Sequence, residues 1–210
     1  MAFAVAVSGC ADSPVALKAV QAMRTTVVGA PPLDITREQV SKLPYASMAA
    51  RVGRGVEALV LLSHASGDER VWLAGAEAVL VLRYGRLVRT SGFEENLVGS
   101  RVLAEDPLEY GVHRLEGPRR FTRTMDMAPK GGYEQPVDCE VTPIGPRKIT
   151  IVEIEFDTVL VREDCDARRV RWSFTNYYWV DPVDGFVWRA TQHFVRTQPA
   201  LEYSVLKPAG

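Results

Sequence analysis

The sequence predicts a mainly β domain, built of antiparallel meanders that curl into a barrel-like or sandwich form and preceded by short helices. Three observations carry this. From Pro44 onward, apolar residues recur at every second position over many short runs. Clusters of turn-forming residues separate these runs at intervals of strand length. No regular alternation of strand and helix patterns marks a parallel sheet.

Helical signals are confined to the beginning. Leu17, Val20, Met23 and Val27 stand at helical spacing and predict an amphipathic helix over 16–28, stopped by Gly29 and Pro31-Pro32. Thr36-Arg37-Glu38-Gln39 is a capping-box pattern, which predicts a short helix from Arg37 to about Lys42, ended by Pro44. The period then changes to two: Ala46, Met48, Ala50 and Val52 alternate with Tyr45, Ser47, Ala49 and Arg51. Ala58 to Ser63 and Arg70 to Leu73 flank the turn Ala65-Ser66-Gly67-Asp68 and predict a hairpin. Val79 to Arg83 and Arg86 to Thr90 flank Tyr84-Gly85, a tighter one. Phe93 to Leu115 reads as loop, and Arg119 to Met125 as a strand broken at Pro129-Lys130-Gly131-Gly132.

The second half carries the clearest β signal. Thr150, Val152, Ile154 and Phe156 predict one face of a long strand, with Glu153 and Glu155 together on its solvent face. Val170, Trp172, Phe174 and Tyr178 predict its partner. After the turn Asp181-Pro182-Val183-Asp184-Gly185, the residues Phe186, Trp188, Ala190, Gln192 and Phe194 are expected on one face. The 150–194 region should supply the central strands.

Size and composition bound the function. With 210 residues, 47% hydrophobic and 24% charged, the chain is one ordinary globular domain. The 25 basic and 26 acidic residues are interspersed, without the basic footprint of a nucleic-acid binder. Arg168-Arg169-Val170-Arg171 beside Glu163-Asp164-Cys165-Asp166 reads as opposed charge at a hairpin tip. No apolar run is long enough for a membrane-spanning helix. The organisation is a lipobox-like segment over 1–12 followed by a single mainly β domain over 13–210.

Signals of catalysis are weak. His64, His113 and His193 stand far apart, without metal-ligand spacing. No phosphate-binding glycine loop and no Gly-x-Ser-x-Gly elbow occurs, so neither catalytic residues nor a cofactor are assigned. Glu153 and Glu155 are spaced as a glycosidase pair could be, but on the solvent side of a strand. Tyr177 and Trp179 lie opposite the phase of Phe174 and Tyr178, which makes them candidates for contact with a sugar or a protein partner.

Val7-Ser8-Gly9-Cys10 has the form of a bacterial lipobox, with Cys10 as the acylated residue. No Lys or Arg precedes it, so either the true start lies upstream or the segment is an incidental tail. Beyond Cys10, the cysteines are Cys139 and Cys165; two readings stand, a disulfide in an oxidising compartment or two separate thiols.

Several segments together resemble the YjbF family of group 4 capsule polysaccharide lipoproteins. They are Leu43-Pro44-Tyr45-Ala46-Ser47, Gly85-Arg86-Leu87-Val88-Arg89-Thr90-Ser91-Gly92, Asp106-Pro107-Leu108 and Asn176-Tyr177-Tyr178-Trp179-Val180-Asp181. The last continues through Gly185-Phe186-Val187-Trp188 to Gln192, and Leu206-Lys207-Pro208 closes the match. The resemblance implies a half-barrel-like β fold and a lipid anchor at Cys10. It implies an envelope protein facing the periplasm, with no established catalytic activity, and Ala11 rather than Asp after the cysteine favours the outer membrane. Such a chain would be an accessory factor in exopolysaccharide or capsule production or export. It would bind the exopolysaccharide, envelope export proteins, or both. The alternative is a periplasmic enzyme that modifies polysaccharide, which would require a cleft carrying two carboxylates with shifted pKa values.

Overall fold

The structure is a computed structural model that describes residues 31–209 apart from 76, 77 and 129. Cys10 and the helix expected over 16–28 lie outside the described residues. The chain begins with α1 (Arg37–Lys42) and continues through twelve strands: β1 (Ser47–Val52), β2 (Ala58–Ser66), β3 (Glu69–Ala74), β4 (Ala78–Arg83), β5 (Arg86–Ser91), β6 (Asn96–Val102), β7 (Arg119–Ala128), β8 (Gly132–Ile151), β9 (Ile154–Ala167), β10 (Trp172–Val180), β11 (Val187–Gln192) and β12 (Leu201–Lys207). All pair antiparallel in one sheet of order β5-β4-β3-β2-β1-β12-β11-β10-β9-β8-β7-β6. The sheet curls into a nearly closed barrel whose ends, β5 and β6, are adjacent in the chain.

The capping box forms as the sequence dictates: the Gln39 amide donates to the Thr36 hydroxyl, and the Thr36 amide donates to the Gln39 side chain. This single turn of helix exists to bury one side. Val40 is fully buried against Ala49 and Leu206 on the outside of the barrel, and Arg37 donates to the Leu206 carbonyl at 2.8 Å. The barrel interior is filled by the alternate residues of the strands, among them Met48, Val60, Trp72, Leu80, Met125, Val161, Trp172, Tyr178 and Leu201. The strands β10 to β12 lie in the middle of the sheet.

Three expectations are corrected, and one strand is added. The stretch from Thr150 to Phe156 is not one strand, because Val152 and Glu153 take positive φ and turn the chain between β8 and β9. Glu153 therefore sits in the turn and Glu155 on β9, paired with Lys148. Secondly, the loop assigned to 93–115 contains β6, whose pattern is broken by Gly99 and a register shift between Leu97 and Gly99. The added strand is β8, which runs through Pro136, Pro143 and Pro146. β7 pairs with it over Gly132–Val141 and β9 over Asp138–Ile151, so each proline lies where one of its two edges has no paired strand. Thirdly, a register shift between Trp179 and Val180 sets Val187 opposite Val180 and Arg189 opposite Trp179. The extra residue reverses the phase of β11, so Val187 packs inward while Trp188 stacks on Phe156 at 4.2 Å outside.

The free length of β8 and β9 forms a two-stranded arm. Its tip returns to the outer face, where Ile149, Ile151 and Phe156 join Val40, Ala49 and Leu206 in a second apolar cluster.

Trp172, 9% exposed and stacked on Phe174 at 4.1 Å, anchors one end of β10 inside the barrel. Trp172→Ala should cost about 3–5 kcal/mol in denaturant unfolding, the range for truncating a buried large aromatic. An unchanged midpoint would place this ring outside the core.

Candidate functional site

The strand phases that fill the barrel also carry polar residues, and these converge. On β10 the inward series is Trp172, Phe174, Asn176, Tyr178, Val180; on β9 it includes Val161, Glu163, Cys165; on β7, Phe121, Arg123, Met125. Arg86 enters from the start of β5, Gln192 from the end of β11, and Asp106 from the β6–β7 connection. The polar side chains among them are at most 6% exposed.

Arg86 is the centre. Its Nε and Nη2 donate to the two oxygens of Asp106, both at 2.9 Å, in a bidentate fork. Its Nη1 donates to Glu163 Oε1 at 2.5 Å and to the Tyr178 hydroxyl at 3.3 Å. The other Glu163 oxygen accepts from Asn176 at 2.6 Å and from Tyr178 at 3.0 Å. The guanidinium also lies over the Phe121 ring, 5.2 Å from its centroid. Arg123 approaches Glu163 at 3.9 Å and stands over Phe174 at 5.7 Å, with its Nε unpartnered. Two arginines thus meet two carboxylates in a fully desolvated space with no net charge.

The network reaches across the barrel through the backbone of the β4–β5 turn. Gln192 donates to the Gly85 carbonyl and accepts from the Leu87 amide, at 2.7 and 2.8 Å. Tyr203 donates to the same carbonyl at 2.7 Å. Tyr84 and Gly85 both have positive φ, as a two-residue hairpin turn requires. A Cβ at position 85 would lie 2.5 Å from Val187, so only glycine lets the turn approach β11 this closely.

The electrostatics follow from burial and pairing. Burial alone would raise the carboxyls of Glu163 and Asp106, but Arg86, with Arg123 behind it, holds both below the ordinary carboxylate range. Burial pulls the Arg86 pKa down, and Asp106 and Glu163 more than reverse it. Burial and the charge of Glu163 push the Tyr178 hydroxyl well up, so it remains a neutral donor. This chemistry locks protons in place; a general acid would need a carboxyl displaced upward. Cys139 and Cys165, direct partners across β8 and β9, are joined by a disulfide next to the network. Their sulfurs and a Glu163 oxygen lie within 4.8 Å of one another. With the sulfurs bonded and Glu163 held by Arg86, Asn176 and Tyr178, the trio offers a cation no open donor set.

The residues singled out from the sequence fall elsewhere. Tyr177 and Trp179 face outward on β10, their rings 6.5 Å apart; Tyr177 is 36% exposed, and Trp179 packs into the outer cluster. Glu163 is not part of a charged hairpin tip, since its position in β9 points it into the barrel. Arg168 and Asp166 do pair at that tip. The network was nevertheless marked in the sequence. Asn176, Glu163 and Arg123 each interrupt an apolar period-two phase, and a polar residue in that phase must find a partner inside.

Since the folded-state pKa values of Glu163 and Asp106 lie below their unfolded values, the carboxylates stabilise the fold at neutral pH. That contribution is lost as pH falls through the depressed values. Glu163→Gln should lower stability at pH 7 by about 3 kcal/mol and flatten the loss of stability between about pH 5 and pH 2. An acid profile as steep as that of the wild type would contradict the assignment.

A family model described as group 4 capsule polysaccharide lipoprotein gfcB, YjbF matches residues 20–206. The chain is 25% identical over 188 residues to lipoprotein YjbF of Escherichia coli K12, covering 88% of this chain and 85% of that one. It is 24% identical over 208 residues to lipoprotein GfcB of the same organism, covering 99% and 96%. The crystal structure of lipoprotein YmcC from Escherichia coli K12 superposes with a TM-score of 0.75 at 22% identity, covering 96% of this chain and 100% of that one. The segments that carried the resemblance supply Gly85, Arg86, Asp106, Asn176, Tyr178 and Gln192, the larger part of the buried network. By the extent of the family match, the chain belongs to the YjbF family of group 4 capsule polysaccharide lipoproteins.

Proposed function

We propose that this chain is a lipid-anchored envelope protein, facing the periplasm from the outer membrane, that assists capsule or exopolysaccharide production or export by binding rather than by catalysis. The family match over residues 20–206 carries the reading. The relatives are named as lipoproteins, and the family description names the capsule polysaccharide. The physical character of the barrel supports the non-enzymatic part. Its buried carboxylates are neutralised by arginines and held ionised, which suits a rigid scaffold and gives no proton to a leaving group. The anchor would be the diacylglycerol thioether of Cys10, with further acylation making attachment stable. Partners are the polymer, envelope export proteins, or both.

Deleting the gene should strip polymer from the cell surface without changing its glycosidic linkages, and the full chain should restore it. Cys10→Ala should abolish incorporation of labelled palmitate and weaken that restoration. Shortening of purified polymer by the purified chain would instead make it an enzyme. Unchanged surface polymer in the deletion strain would remove it from the pathway.

A further inference from the structure

On the side of the barrel where the β4–β5 turn meets the β10–β11 connection, a cleft of about 580 Å³ opens to solvent. That volume is within the range of small-molecule sites. Two partly exposed aromatic rings line it: Tyr84 at 40% and Phe186 at 37% exposure. Trp72 lines it deeper down, 5% exposed.

The remaining polar lining is mostly anionic. Asp68, Glu109 and Asp184 line the cleft, Asp68 paired with Arg83 at 3.0 Å, and Arg70 is the one basic group among the lining residues. Asp184 accepts the Phe186 amide at 2.8 Å through one oxygen, and Glu109 accepts the Tyr84 hydroxyl at 3.3 Å through one oxygen. Their second oxygens have no hydrogen-bond partner among the described residues.

We propose that this cleft binds a short, uncharged segment of the polysaccharide. The inference rests on the reading of the chain as a polysaccharide accessory factor and gives that reading a site. Sugar rings present apolar C–H faces and a rim of hydroxyls. The Tyr84 and Phe186 rings take the faces, and the free carboxylate oxygens take hydroxyl donors. The excess of carboxylates repels uronate or phosphate groups, so the recognised segment is neutral. The buried network preorganises the site. The Gly85 carbonyl, held by Gln192 and Tyr203, fixes the turn that carries Tyr84, and so reduces the ordering cost of binding.

The test is calorimetric titration of the full chain with tetra- to octasaccharides cut from the polymer of the producing strain, before and after carboxyl reduction. Both preparations should bind. Tyr84→Asn with Phe186→Ser should weaken binding roughly tenfold; asparagine is used because it tolerates the positive φ at position 84. Tyr177→Ala should leave affinity unchanged. Absence of binding, binding indifferent to the cleft variants, or binding lost on carboxyl reduction would each overturn the proposal. If deletion of the gene strips surface polymer while the chain binds neither preparation, the cleft fails and the accessory role stands. If deletion changes nothing, the accessory role fails on its own.

Discussion

Arg86 cannot be inside this barrel unless two carboxylates are there with it, and much of the architecture follows from that requirement. A guanidinium with 2% exposure has no water to solvate it, and the cost of an unpaired charge at that depth exceeds any packing gain. Asp106 must therefore be delivered by the β6–β7 connection and Glu163 by β9, while Arg86 arrives from β5. Three parts of the chain separated by 20 and 77 residues are tied to one side chain. Asn176, Tyr178 and Gln192 saturate what remains of the carboxylates and the turn backbone. A curled sheet of hydrophobic strands could close in several ways; these bonds are satisfied in only one register.

The same constraint explains why the barrel is nearly closed without a complete backbone ladder. β5 and β6 form no ladder with each other. The Thr90 hydroxyl accepts the Leu97 amide at 2.9 Å, and the side chain of Asn96 braces the connection through Phe93. Farther along, β5 is held by its side chains and by the β4–β5 turn, which reach through the interior to Glu163, Gln192 and Tyr203. Bulges do the remaining shaping. The shift at Trp179 turns Trp188 outward to meet the arm of β8 and β9, so the outer cluster under α1 exists because one residue was inserted in β11.

Much of this was legible in the residues, and the failures have physical causes. Thr36 to Gln39 specified a cap through local hydrogen bonds and formed as read. Tyr84-Gly85 specified a tight turn for the same reason. The tip at Val152-Glu153 was missed because neither residue favours positive φ; the turn is imposed by the pairing of the long strands around it. Most of β8 carries no plain strand signal because Pro136, Pro143 and Pro146 interrupt it, and the open edges that accommodate them exist only in the assembled sheet. The network was visible in parts. Arg86, Asp106, Asn176, Tyr178 and Gln192 stood in the segments carrying the family resemblance, but nothing local says that a strand arginine faces inward. Glu163 was read with its exposed neighbours Asp164 and Asp166, although the phase of Val161 and Cys165 already placed it on the other face.

The central claim is that Arg86 and Glu163 act as one unit tying the β5 end of the sheet across the barrel to β9. A double-mutant cycle with Arg86→Met, Glu163→Gln and the pair, read by denaturant unfolding at neutral pH, tests it directly. The account predicts a coupling energy of about 2–3 kcal/mol, with the double variant less damaged than the sum of the single ones. Effects that add to within about 0.5 kcal/mol would mean that the two side chains are stabilised independently, and would contradict it.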